Sequence, residues 1–579
     1  MSARSFLQSW LWCVAFACAA QQQPAYLDRL LNEGAALNQQ ADYARSVPLL
    51  REATTLAPQN ATANYLLGVA LLQCGHPAEA VVPLRVAARV NPVNEAAEGY
   101  LGDAEMELKE FPLAAEAFLT AVSRAPDSEQ TLVWWTDFSL ERFRKLEFSL
   151  RATIRGRAAM LVVAADADQL DWKKKEELLQ QAAVLDPSFN EIRGKLGIAQ
   201  ALLAEEADAE ASLKSAQQTA SDAISTLELG ALVDTAQGRW SEANQKLLEL
   251  DRRSQNEFNR MVAAWPQKLI PGPERKDPVW QCLRESRAKC PLIQVEPVRQ
   301  ETASAERVFA EGRWEQLIAE PAPPVNDAAR WFWRGVAFAR LGDCIHAIPA
   351  LEHGLKPGGE PGAAELANCY EHEAVRNADH LQALGKEASV HLIRGDILLS
   401  IRLDPSKAAD EYGQALRLKP NDPQLLEKLA EAYFSQAEIE KAQQTAQQAL
   451  ALNPNRKQLL RLLIQVALSE RDYPTAHSLL GRLAAIEPDD AWIGVQQATA
   501  YAQTGHPEEA VQTLQPALDA GYPDEKGSLH ALLAAQFRKL GRIDDARRTT
   551  AEAIRLADAF ARQNENPAAN DPTTETQPH

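Results

Sequence analysis

Prolines recur at a fixed interval in this chain: Pro58, Pro92 and Pro126 lie 34 residues apart, and so do Pro420, Pro454 and Pro488. A period of that length marks one small structural unit copied along the sequence, too small to bury its own apolar face and stable only when stacked on its neighbours. Other positions keep the same phase. Span 61–94 carries Leu67, Gly68, Leu71, Ala80, Leu84, Ala87 and Pro92, and span 95–128 answers with Leu101, Gly102, Glu105, Ala114, Phe118, Ala121 and Pro126. Small residues suit the places where two helices cross closely, and large ones fill the space beside them. Proline cannot continue a second helix and so sets the turn into the next unit.

An all-α reading follows. Ala, Leu, Glu and Gln are over-used, and few segments show the Val/Ile/Thr alternation of a strand. With 27 Gly and 33 Pro in 579 residues the chain is not of low complexity, yet it is longer than one hydrophobic core usually serves.

The recurring residues resemble the tetratricopeptide repeat (TPR), whose 34-residue unit reads W-x2-L-G-x2-Y, then A-x3-F, A and P. Span 27–60 matches more softly, with Leu30, Gly34, Leu50 and Ala53 but Ser46 where Ala is usual. Spans 389–422, 423–456, 457–490, 491–524 and 527–560 continue the pattern through residues such as Tyr412, Ala430, Ala476, Ala510 and Phe537. Trp331, Gly335, Phe338, Ala347 and Leu351 mark a unit starting near 328, and Leu196, Gly197 and Ala209 mark another over 190–223. The resemblance, to an exported bacterial type of the family, implies an α-α superhelical solenoid of helix-turn-helix repeats, in two arms around an irregular middle, with a concave groove lined by first helices.

The expected organisation is a signal peptide over 1–20, an N-terminal array of three repeats over 27–128 and a degenerate helical region over 129–256. A Pro-rich linker or elbow is expected over 257–304, where Pro266, Pro271, Pro273, Pro278, Pro291 and Pro297 crowd. A repeat-like unit with a long helix (305–388), a C-terminal array (389–560) and a disordered polar tail (561–579) complete it.

Arg4 precedes an apolar run from Phe6 to Ala20 that is too short to span a bilayer and ends in small residues, as a secretory signal does. Lipoprotein cleavage before Cys18 is the rival reading, but Phe16 sits where a small residue is wanted. No later apolar run suffices for a membrane span. The chain is therefore expected to be periplasmic or secreted, with at most peripheral envelope association. A net charge of −19, with Lys and Arg scattered, argues against nucleic acid, which needs a basic stripe.

Catalytic, cofactor and metal sites are not expected. No phosphate-binding glycine loop, nucleophile elbow or zinc-protease helix is present, and His346/His353 and His372/His380 lack the spacing that puts two imidazoles on one ion. Arg394-Gly395-Asp396 falls inside the first helix of a repeat, where an adhesion loop cannot form. Cys74, Cys344 and Cys369 read as buried small hydrophobes. Cys282 and Cys290 form a candidate disulfide, although a straight helix would hold them about 12 Å apart, so the segment between them must bend.

In the TPR family, ligands contact positions 2, 5, 9, 12 and 13 of each unit. Carried over, the resemblance assigns the groove to Tyr65, Val69, Leu72 and Gln73, then Asp103, Met106 and Glu107, and in the C-terminal array to Glu427, Glu431, Phe434, Arg461 and Gln465. Lys and Asn, which clamp a peptide carboxylate in one branch of the family, are missing from the corresponding positions, where Leu31 and Ala35 or Glu427 and Glu431 stand. The function expected is a non-catalytic scaffold holding peptide segments of unknown protein partners. Alternatives are a substrate-guiding arm of an enzyme complex, such as one with a glycosyltransferase, and a structural spacer.

Overall fold

The computed structural model describes residues 25–565, apart from 286–303 and short stretches of one to four residues. Among the described residues all regular structure is helical and no strand occurs. The fold is the all-α repeat solenoid that the periodicity predicts.

Each regular repeat is two antiparallel helices, as in Ala61–Gln73 with Pro77–Val90 and Pro423–Ser435 with Ile439–Leu452. The residue that turns one helix into the other sits in the left-handed region at the same phase of successive units: Gly75, Lys109, Ala204, Gly238, Gly342, Ala437, Arg471, Gly505 and Gly541. The next amide donates back five residues, for example His76 to Leu71 and Glu438 to Tyr433, both at 2.9 Å. This closes each first helix and satisfies a carbonyl left open at its end. Acidic or amide side chains open many helices: Asn60 accepts from Ala63 N, Asp422 from Gln424 N and Leu425 N, and Asp490 from Trp492 N.

Glycine holds the two helices of a unit together at close range. A Cβ added to Gly68 would meet Leu84 Cγ at 2.4 Å, one on Gly34 would meet Leu50 Cδ2 at 2.6 Å, and one on Gly335 would meet Leu351 Cγ at 2.7 Å. The 16-residue offset between the glycine and the large residue is the same in each, which is why both recur with the period.

The described residues divide into two compact units that do not follow chain order. One combines residues up to Phe138 with Ala374–Tyr522, and the other combines Ser139–Glu373 with residues from Pro523 onward. In the first unit the N-terminal and C-terminal arrays share a core. Leu132 packs with Leu381, Val390 and Ile393, and Val133 with Leu392, Leu425 and Leu429. Buried Asn377 donates to buried Thr136 Oγ1 at 2.9 Å, and Glu129 accepts from Lys419 at 2.8 Å and from Ser389.

The second unit corrects the expected linker. Within 257–304, Phe258, Met261, Val262, Trp265, Val279, Trp280 and Leu283 are buried in one cluster with Leu229, Leu247 and Leu250 of the preceding repeat. Trp280 meets Trp240 and Trp265 edge-on, with centroids 5.8 and 6.3 Å apart. Arg284 donates to the carbonyls of Pro271 and Gly272, which fastens the proline-rich loop. The prolines mark chain turns, but the apolar residues between them are dense enough to build core. Residues 286–303 lie outside the described residues.

The expected degenerate helical region opens with a continuous helix, Glu129–Ala152, followed by Ile154–Ala165 and Trp172–Leu185. A buried triad stiffens this unit: Arg142 donates to both oxygens of Glu352, at 2.7 and 2.9 Å, and Tyr370 OH donates to Glu352 at 2.7 Å. The final helix, Ile543–Glu565, extends into the start of the expected disordered tail. Residues 566–579 and the expected signal peptide lie outside the described residues.

Candidate protein-binding groove

The first helices of the N-terminal array place the expected groove side chains unequally. Leu72 is not a groove residue: it is only 4% exposed and packs with Leu67, Leu71 and Leu101. Val69 is half-buried against the same cluster, Asp103 and Met106 are half-buried, and Gln73 and Glu107 are exposed.

Tyr65 is the first ring of an aromatic ladder. Its centroid lies 6.0 Å from that of Tyr100, which lies 5.4 Å from that of Trp134 in an edge-on arrangement. All three are half-buried. Burial pushes the Tyr100 phenol up to about 12, so it stays a neutral hydrogen-bonding group at any physiological pH. Gly99 makes room for the last ring, since a Cβ there would lie 2.3 Å from Trp134 Cζ3. Tyr100 was missed because it stands one position beyond the family's contact position. The signal was present in the spacing of Tyr65, Tyr100 and Trp134, which are 35 and 34 residues apart. Trp135, next to the last ring of the ladder in sequence, is fully buried, and the Trp333 and Phe309 ring centroids lie 5.0 Å apart. Trp331 is half-buried, donates to Pro324 O at 3.1 Å and stacks on His353.

The C-terminal candidates are largely committed to neighbours. Glu427 is buried, 4% exposed, and pairs with Arg456, so it is corrected from groove to interior. Desolvation raises its carboxyl above the ordinary range despite that arginine. Arg461 bonds Glu487 at 2.7 Å and Asp490, and its guanidinium lies 4.8 Å from the centroid of the Trp492 ring. Phe434 packs on the core of its array, Glu431 is half-buried and Gln465 is exposed. Val390 and Ile393, at groove positions of span 389–422, are covered by Leu132 of this same chain.

Cys282 is disulfide-bonded, and Cys290, its expected partner, lies outside the described residues. Asp396 of the Arg-Gly-Asp run is buried within the helix Glu387–Ser400, where it accepts from Tyr412 OH at 2.7 Å and pairs with Lys428 at 3.1 Å. No described helix is long and apolar enough to cross a membrane.

The tetratricopeptide repeat family matches residues 31–89, 75–129, 402–455 and 427–491, and a second form of the same repeat matches 467–535. The chain is a TPR protein. The family matches coincide with the arrays whose helix pairs, left-handed turns and glycine contacts are described above. Among solved structures, MamA from Desulfovibrio magneticus RS-1 is similar at 21% identity, over 30% of this chain and 96% of that one, with a TM-score of 0.28. TTC0263, a thermophilic TPR protein of Thermus thermophilus, is similar at 20% identity, over 33% of this chain and 98% of that one, with a TM-score of 0.23. No curated protein matches the chain.

Proposed function

We propose that this TPR protein is a non-catalytic scaffold whose N-terminal concave face holds an extended peptide segment of a protein partner, in the periplasm or secreted space. The aromatic ladder Tyr65–Tyr100–Trp134 carries the reading. Rings in tilted and edge-on contact at repeat spacing offer apolar area at low entropic cost, with hydroxyls that bond a peptide backbone. Asp103 lies close enough to the Tyr100 phenol for its charge to act on it. The acidic residue favours a neutral or basic segment over an acidic one. In the C-terminal array Glu427 and Arg461 already have internal partners, so the N-terminal face is the better candidate.

The test is site-specific crosslinking. The mature chain, carrying a photoreactive amino acid at Gln73, is irradiated in envelope extract, with the same probe at exposed Val82 on the second helix as control. A discrete adduct from position 73 alone is expected, and Tyr100→Ala or Trp134→Ala should reduce it about tenfold with helicity unchanged. Equal adducts from both positions, or none lost in the ladder variants, would overturn the reading. A reporter enzyme active only outside the cytoplasm, fused after residue 30, tests the export proposal separately.

A further inference from the structure

Five charged side chains from distant parts of the sequence meet inside the second compact unit. Arg340, the last residue of Ala328–Arg340, reaches Glu191 at 2.6 Å and Asp166 at 3.6 Å through Nη1, and Glu365 at 2.7 Å through Nη2. Lys195 pairs with Asp166 and lies 3.1 Å from Glu191. Glu191 and Lys195 stand in Asn190–Leu202, Asp166 caps Ile154–Ala165, and Glu365 stands in Glu360–Ala383, where Cys369 follows one turn later.

Three carboxylates thus face two cations, which leaves one negative charge in excess. Burying an unbalanced charge is costly, and a proton is the simplest way to remove it. The geometry selects the carboxylate that takes it. Glu191 and Asp166 each meet both cations, and the Asp166 side chain is 33% exposed to water. Glu365 meets Arg340 alone, shares it with the other two, and is only 6% exposed. Desolvation pushes the Glu365 carboxyl above its ordinary range, helped by Glu191 and Asp166 and opposed by Arg340 and Lys195.

We propose that Glu365 is a proton-operated latch, whose protonation removes the excess charge and tightens the ionic joint fastening Asn190–Leu202 to Ala328–Arg340 and Glu360–Ala383. The sign follows from linkage. Because the folded carboxyl holds its proton to higher pH than the unfolded one, ionisation weakens the joint, and the weakening grows as pH rises through that window. The joint is tightest in mild acid and looser at neutrality. Glu191 acts in the opposite direction and only in strong acid, since its carboxyl is held at about 2. The latch therefore gives the degenerate helical region a pH response of its own, in a different compact unit from the aromatic ladder.

The test is hydrogen exchange of the full mature chain, read by mass on peptides covering 190–202 and 328–340, at about pH 5.5 and 7.5 and corrected for intrinsic exchange rates. Protection in the wild type is expected to be about threefold or more higher at the lower pH. Glu365→Gln keeps an acceptor for Arg340 without the charge, so it should show the higher protection at both pH values. Peptides from 425–452, in the other unit, should not distinguish the two proteins. The same pH dependence in variant and wild type would overturn the proposal. Should the variant fold poorly, site-resolved carboxyl carbon NMR of the wild type decides: titration of Glu365 above the ordinary carboxylate range supports the latch, and titration within it defeats the proposal.

Discussion

Lys457 Nζ pairs with Glu107 at 3.4 Å although the two residues are 350 positions apart in sequence. The contact joins the last residue of Glu95–Glu107 to the first of Lys457–Ser469. Lys457 also lies 3.1 Å from Glu487, which bonds Arg461 at 2.7 Å. Two residues expected to line separate grooves, Glu107 and Arg461, therefore belong to one ion network within a single compact unit.

Loss of hydration raises the Glu107 carboxyl above its ordinary range, with the Lys457 ammonium opposing the rise. A folded value above the unfolded one means that the ionised carboxylate disfavours the fold. That penalty is absent at low pH and grows as pH rises from the unfolded toward the folded value. Lys457→Gln should shift the Glu107 titration, followed by carboxyl carbon NMR, further upward. Stability should change by less than about 1 kcal/mol, because the pair is partly exposed. An unmoved titration would show that the pair does not form in solution.

Glu191 has the opposite sign. Burial alone would raise its carboxyl, but Arg340, at 2.6 Å, and Lys195, at 3.1 Å, outweigh burial and hold it at about 2. A depressed folded value contributes stability above the unfolded value, lost as pH falls through the folded one. The contribution is about 3 kcal/mol, from the shift below the ordinary carboxyl value. Glu191→Gln should lower stability at pH 7 by about that amount and flatten the loss between about pH 4.5 and 2, measured by urea unfolding across pH. Superimposable pH profiles of variant and wild type would remove Glu191 from the acid response.

A Cβ on Gly102 would come within 2.8 Å of Phe118 Cζ and within 2.9 Å of two more ring atoms. Gly102→Ala should cost about 1–3 kcal/mol through forced displacement of the ring. Combining it with Phe118→Leu should cost less than the sum of the two single changes. Strict additivity would mean that the two positions do not interlock.

Arg471 turns its repeat at φ 61°, where Gly505 stands at φ 81° in the next. An L side chain is strained in the left-handed region, so Arg471→Gly should raise stability by about 0.5–1 kcal/mol in thermal or urea unfolding. Nothing lies within 4 Å of the added Cβ at Gly505, so Gly505→Arg should lower stability through backbone strain alone. An unchanged midpoint in both variants would show that the turn conformation costs nothing.

The repeat was legible in the sequence because every unit solves the same local problem. Gly68 must admit Leu84, and Gly102 must admit Phe118, at one fixed offset. The left-handed turn was only half legible, since Lys109, Ala437 and Arg471 hold it without the glycine that would announce it. The groove was less legible still. The family's contact positions are exposed in an isolated array, but Leu72 and Glu427 are buried here and Val390 and Ile393 lie under Leu132.

By itself the sequence determined the all-α repeat, its 34-residue phase and the helix pairs, because these depend on spacings within about one unit, which periodicity records. Only the tertiary structure decided that residues around 132 share a core with residues around 390, and that the proline-rich middle is packed through Trp265 and Trp280. Those contacts join segments with no periodic relation to one another. They come from apolar surface left uncovered by the local helix pairs, and which surfaces cover one another is a property of the folded chain.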